Sequence, residues 1–304
     1  MWTFLLIRTA RAAVVLLGLS IVVFMSVRLI PGDPALVFAG DYATPAVVAQ
    51  VRERFGLDRP WVVQYAVFVR RALAGDLGAS VRTGQPVLTE IAPRYARTVV
   101  LAAAATLISV LVGLPLGVLA AVRRGGWVDR ASIALALLGV SAPTFVVAVL
   151  LQYVLAVRLG WLPVTGGGSL RHLVLPAVSL GVFPIAAIAR LVRAGLLEVL
   201  GEDYIRTARA KGLPEAVVLV RHALRPALIP TATVVAVQFG TMLGAAVFAE
   251  AVFAWPGLGR YLVQAVSARD YPVVQAAVLA VGATYILANL AVDLLYRWLD
   301  PRIV

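Results

Sequence analysis

Residues 98–122 read TVVLAAAATLISVLVGLPLGVLAAV, 25 consecutive positions without a charge. About 18 apolar residues already suffice for a membrane-crossing helix, because a helix climbs about 1.5 Å per residue through a hydrocarbon core about 30 Å thick. The pattern recurs along the chain. Uncharged runs also occupy Ala12–Val27, Ala131–Val157, His172–Ala189, Pro226–Ala249 and Tyr271–Val292. The first is only 16 residues long, but Arg11 and Arg28 at its ends can snorkel to the interface and extend it. The expected fold is all-α: a polytopic membrane protein with six transmembrane helices.

Composition agrees. Of 304 residues, 62% are hydrophobic and 14% charged, whereas soluble domains carry about 25% charged residues. The net charge of +12 does not indicate nucleic acid, since the basic residues border apolar runs and form no face interleaved with aromatics. With no cysteine, disulfides and thiolate chemistry are excluded. The two histidines, His172 and His222, stand too far apart to suggest a zinc site of three or four clustered ligands.

Arginine placement gives the orientation. With the N-terminus inside, fourteen of the 27 basic residues fall on short inner segments and four on the two short outer loops. The other nine lie in residues 28–97, a segment near the length at which the positive-inside rule stops counting. Both termini are expected in the cytoplasm of a multi-pass membrane protein. The first run could alternatively be a cleaved signal, but the small-residue site Val37-Phe38-Ala39 lies too far beyond it. The expected division is 1–31 (N-terminus and first span), 32–96 (extracytoplasmic helical cap) and 97–304 (core domain with the other spans), with a cytoplasmic loop at 195–230.

The outer segment carries its own helix signals. Thr44-Pro45 is a cap followed by a first-turn proline, Gly56 a stop, and Val48, Val51 and Phe55 share a face. A second helix is expected from Pro60 to Leu73, with Asp58 before it and Gly75 after. Its Trp61, Tyr65, Phe68 and Val69 form an aromatic face suited to headgroups. Asp33 and Asp76 suit turns. Within the spans, Pro115, Pro143, Pro176 and Pro184 invite local breaks, and Gly113 with Gly117 forms a small-xxx-small pair for close helix approach.

Residues 202–230, EDYIRTARAKGLPEAVVLVRHALRPALIP, interrupt the apolar pattern and contain the sole lysine, Lys211. Asp203 can cap a short helix ending at Gly212, and Pro214 can open a second that stops before Pro226. In that second helix Val217, Val220 and Leu224 would share one face, and Arg221 and Arg225 another. Two short amphipathic helices meeting at a glycine turn fit either a groove on another protein or an interfacial hairpin on anionic headgroups.

Arg206-Thr207-Ala208, then Gly212 four residues on, then His222-Ala223-Leu224 resembles the coupling loop of ABC importer permeases, in the wording of the dipeptide, oligopeptide and nickel branch. Arg206 replaces the general motif's glutamate, and proline falls at Pro226 with Arg225 in its usual place; both departures point toward that branch. Further matches to the branch are LIPGDPA at 29–35, GLDRPWVVQY at 56–65, GDLGAS at 75–80 and SAPTFV at 141–146. EAVFAWPGLG at 250–259, RDYPVVQA at 269–276 and NLAVDLLYRWLDPR at 289–302 complete the series. The resemblance implies a non-catalytic permease subunit in the bilayer, paired with a second homologous permease, two cytoplasmic ATPases and an extracytoplasmic substrate-binding protein. It implies that the loop seats in an ATPase, with Asp203, Tyr204, Arg206, Thr207, Ala208, Arg209, Lys211, Gly212, His222 and Leu224 as the coupling residues. Arg206, Arg209 and Lys211 would then pair with acids of the partner.

The residues themselves limit the alternatives. No G-x-x-x-x-G-K-[ST] motif occurs, so no cofactor is expected here and ATP would be bound by partners. The spans lack the mid-membrane charges typical of ion-coupled carriers. Neither a serine–histidine nor a paired-aspartate constellation for intramembrane proteolysis can be assembled. Glu250, near the outer end of the fifth span, is a candidate external-face contact or an ordinary partner of Arg260 or Arg269. Asp293, Arg297 and Asp300 read as a surface network. Peptides are the leading cargo, with glutathione or nickel as alternatives of the same branch.

Overall fold

The computed structural model describes residues 2–29, 34–39, 43–54, 56–141 and 143–299. Asp33, Phe55 and the Asp293, Arg297 and Asp300 network fall outside the described side chains. In chain order the helices are α1 (Trp2–Leu29), α2 (Pro34–Ala39), α3 (Pro45–Arg54), α4 (Trp61–Leu73), α5 (Val87–Val122), α6 (Trp127–Ser141) and α7 (Thr144–Leu151). There follow α8 (Leu170–Val199), α9 (Asp203–Ala210), α10 (Glu215–Val217), α11 (Leu224–Val252), α12 (Leu258–Ser267) and α13 (Tyr271–Leu299). Among the described residues the only strand-like feature is an isolated bridge between Ala79 and Pro86. The all-α expectation holds.

Among the described residues, five helices are long and apolar enough to cross a membrane: α1, α5, α8, α11 and α13. The expected span at 131–157 is not one continuous helix. It is interrupted at Pro143, whose ψ of 138° is extended, and resumes as α7 and a π-helical segment, Gln152–Arg158. A proline lacks the N–H its helix needs and pushes the preceding residue out of the α region. Pro176 and Pro184 do not have this effect, and α8 stays helical for 30 residues through both. It therefore extends ten residues beyond the uncharged run that predicted it, carrying Arg190 and Arg193.

The chain divides into two compact units, Met1–Thr98 with Pro256–Leu287 and Val99–Trp255 with Ala288–Val304. In the first, Val87, Ile91, Leu258, Ala265, Val273 and Ala277 form the buried core. Thr98 Oγ1 accepts the orphan Leu258 N–H at the start of α12 at 2.8 Å, supplying a cap from a distant segment. Asp270 accepts from Ser80 Oγ at 2.5 Å and Val81 N–H at 3.2 Å, and Asp76 accepts from Gly78 N–H, the turn role expected of it. The aromatic face of α4, expected to suit headgroups, is used inside the chain at two positions. Tyr65 and Phe68 pack on Phe24 of α1 with ring centroids 5.3 and 5.7 Å apart, and Trp61 stays exposed. Phe24, hidden in an otherwise uniform apolar run, gives two rings three residues apart a partner worth about 0.5–1.5 kcal/mol per pair beyond area burial.

In the second unit α5 packs on α8 through the predicted glycines. A Cβ on Gly117 would stand 2.5 Å from the Ala189 carbonyl oxygen, and one on Gly113 2.8 Å from that of Ile185. Any other residue at either position would force the backbones apart. Ser109 Oγ donates to the Gly181 carbonyl at 3.1 Å, one turn further along the same seam.

Candidate functional site

The basic loop is built from the end of α8 outward. Glu202, not Asp203, occupies the cap position of α9 by its extended ψ of 148°, and no side chain caps the helix. Asp203 is instead the first helical residue, where its negative charge faces the positive end of the helix dipole. It pairs with Arg206 at 3.3 Å, both side chains largely exposed, an arrangement that contributes little to stability. Thr207 Oγ1 donates to the Asp203 carbonyl at 3.0 Å.

At Gly212 φ is +77°, the left-handed stop expected there. Pro214 with ψ of 141° precedes α10. The expected stop before Pro226 is absent. From Glu215 the chain runs through α10 and a π-helical turn, Val218–Ala223, directly into α11, with Pro226 in its first turn. Pro226 thus lies inside a continuous helical run, and its missing N–H falls beside the π-turn, where the bonding pattern already shifts.

The π-turn also overturns the expected apolar face. Val217 and Val220 are exposed, while Val218, Ala223 and Ala227 are buried. Their spacing of five and then four residues follows i→i+5 and then i→i+4 bonding, so a helix-period count misplaces the inward face. These three join Ile205 and Ala208 of α9, Leu196 of α8 and Ala121 of α5 in one core. The loop is thus fastened to the ends of three long helices.

Ala208 alone among the predicted loop residues lies in that core. Asp203, Tyr204, Arg206, Thr207, Arg209, Lys211 and Gly212 are exposed, and His222 and Leu224 are half-buried. Of the three cations expected to seek outside acids, Arg209 already has one inside the chain. Its guanidinium donates to Glu215 at 2.6 and 3.1 Å across the Gly212 turn. That hydrogen bonding holds the Glu215 carboxyl below the usual carboxylate range. Arg206, Lys211, Arg221 and Arg225 leave the exposed surface basic. Glu250 is not brought to this site; it lies roughly 40 Å along α11 from Leu224 and is fully buried.

Ile205, Glu215, Val218 and Ala223 were missed by sequence reasoning. The three-residue spacing of Ile205 and Ala208 within a polar helix is a usable signal for an inward face. Nothing periodic connects Arg209 with Glu215.

A fastened core thus lies beneath an exposed basic surface; comparison with known proteins gives the family. Residues 113–304 match the family described as binding-protein-dependent transport system inner membrane component, and residues 1–102 match the N-terminal region of such membrane components. The chain belongs to this family. The permease is 42% identical over 317 aligned positions to the dipeptide transport system permease protein DppB of Alkalihalophilus pseudofirmus, covering 95% of each chain. It is 45% identical to the glutathione transport system permease protein GsiC of Salmonella choleraesuis, covering 95% of this chain and 94% of the relative. Its fold is similar to a chain of the MetNI methionine ABC transporter in an inward-facing conformation, with a TM-score of 0.57 at 22% identity, covering 70% of the permease and 97% of that chain. The permease is accordingly a multi-pass protein of the bacterial inner membrane that works with other ABC transporter subunits.

Proposed function

We propose that this permease passes peptides, delivered by an extracytoplasmic binding protein, through a bundle shared with a second homologous permease, and that two cytoplasmic ATPases drive it. The loop at 200–223 is the piece that receives the stroke, with Tyr204, Arg206, Lys211 and Gly212 at the contact and ATP held wholly by the partners. Both termini and the loop then lie in the cytoplasm, in keeping with the arginine distribution. The observation that carries this reading is the fastening of Ile205, Ala208, Val218 and Ala223 to α5, α8 and α11. A hairpin resting on lipid would turn these four residues toward the bilayer, whereas here they are used internally, and Arg206, Lys211 and Arg221 stand outward beside the exposed Tyr204, Val217 and Val220.

Peptide cargo is supported by the dipeptide relative. The glutathione relatives favour a second, narrower reading, in which the cargo is that one tripeptide. Purification of the permease without crosslinking, followed by identification of co-eluting subunits and of the ligand in the binding protein, tests both. Recovery of ATPases and a di- or oligopeptide is expected. Uptake by the permease alone under a proton gradient, with no ATPase, overturns the proposal.

A further inference from the structure

Asp129 stands in the first turn of α6 and is 3% exposed. Its Oδ1 accepts from Arg193 Nε at 2.5 Å, and its Oδ2 accepts from Arg193 Nη2 and from the Gly125 N–H, each at 2.9 Å. One carboxylate therefore ties the turn after α5, the start of α6 and the last two turns of α8. Arg193 precedes Asp203, the start of the basic loop, by ten residues. Between them α8 continues to Val199, and Leu196 is locked into the core that holds Ile205 and Ala208.

A two-point guanidinium–carboxylate pair fixes angle as well as distance. Buried pairs add little net stability, because desolvation offsets the attraction, and fixing one register is their best-attested use. Following α6 away from this clasp, the next interruption is Pro143. We infer that Asp129 and Arg193 are a positioning pair that makes α6 travel with the loop-bearing end of α8, so that the stroke bends the chain at Pro143 and not at the α5–α6 turn. The inference rests on the coupling role proposed for the loop.

The absence of cysteine allows a direct test in the assembled transporter. Spin labels at Trp127→Cys and Glu202→Cys, both exposed positions, report the distance between α6 and the entry to the loop, in a labelled protein that retains uptake. That distance is expected to stay the same in nucleotide-free and ATP-trapped states. With Asp129→Asn or Arg193→Gln it should change between those states, and transport per ATP hydrolysed should fall by at least about fivefold. The exchanged pair, Asp129→Arg with Arg193→Asp, should recover part of both. A distance that already changes in the unmodified protein overturns the inference. So do single variants that lose thermal stability yet keep the distance and the transport ratio. Gly212→Pro serves as the parallel arm. If it uncouples while Asp129→Asn does not, only the positioning pair fails; if it leaves coupling intact, the loop reading falls and takes this inference with it.

Discussion

Across the Gly212 turn the Arg209 guanidinium meets the Glu215 carboxylate at two points, Nη2 to Oε1 at 2.6 Å and Nε to Oε2 at 3.1 Å. The two helical pieces of the loop are clipped together by residues that no helical period would pair. Both side chains are exposed, so screening by water leaves the pair a small share of global stability. On the proposed coupling role, the pair would limit how far the two helical pieces part. Glu215→Gln should leave the thermal midpoint unchanged while lowering transport per ATP. A variant with wild-type transport at every ATP concentration shows that the clip is dispensable.

Gly212→Pro replaces a φ of +77° with a ring locked near −65°, and Ala208→Arg forces a charge into a core position that is 7% exposed. Both variants should still insert in the membrane, because neither touches a span. Both should lose ATP-driven uptake while hydrolysis by the partners persists. Full uptake by either in reconstituted vesicles contradicts the docking role.

Gly117→Ala puts a methyl group 2.5 Å from the Ala189 carbonyl oxygen, so α5 and α8 must part. Overpacking of this kind costs about 1–3 kcal/mol, visible as a lower thermal midpoint in detergent. Gly18→Ala on α1 meets no atom within 4 Å and should be neutral or stabilising, since alanine is the better helix former by about 1 kcal/mol. Equal effects at the two sites would remove the close α5–α8 approach as the cause.

Hydrogen bonds from Arg193 and from the Gly125 N–H hold the Asp129 carboxyl below its ordinary value of 3.8. A carboxyl depressed in the folded state stabilises the fold fully above its unfolded value, and that contribution is lost as pH falls through the folded one. The midpoint of the wild type should therefore be insensitive to this group at neutral pH and decline as acid is added below pH 3.8. Asp129→Asn should lower the neutral-pH midpoint and flatten the acid slope. Parallel acid profiles for the two proteins would show that the carboxylate is not engaged in solution.

Much of the architecture was legible in the chain. Uncharged runs located the long helices, and Gly113 with Gly117 marked a close helix approach, because small residues at that spacing serve one; that α8 is the partner was not in the pattern. What the sequence concealed depends on contacts between distant segments. Pro143 breaks its helix and Pro184 does not, although both are prolines in apolar runs; surroundings decide whether the freed carbonyl finds a partner. The inward face at 217–224 was misassigned because a π-turn shifts the count, and no residue type announces one. Asp129 and Arg193 are 64 residues apart, beyond the reach of any periodic pattern.

The same π-turn sets the azimuth of the loop. An α-helix advances about 100° per residue, so the extra residue accommodated between Val218 and Ala223 fixes the compass direction in which the Gly212 corner projects from α11. Removing one residue there, with every contact residue retained, would swing the corner by about 100° and aim it at a different neighbour. On the proposed coupling role, fit to an ATPase would be specified by a residue tally as much as by side-chain chemistry.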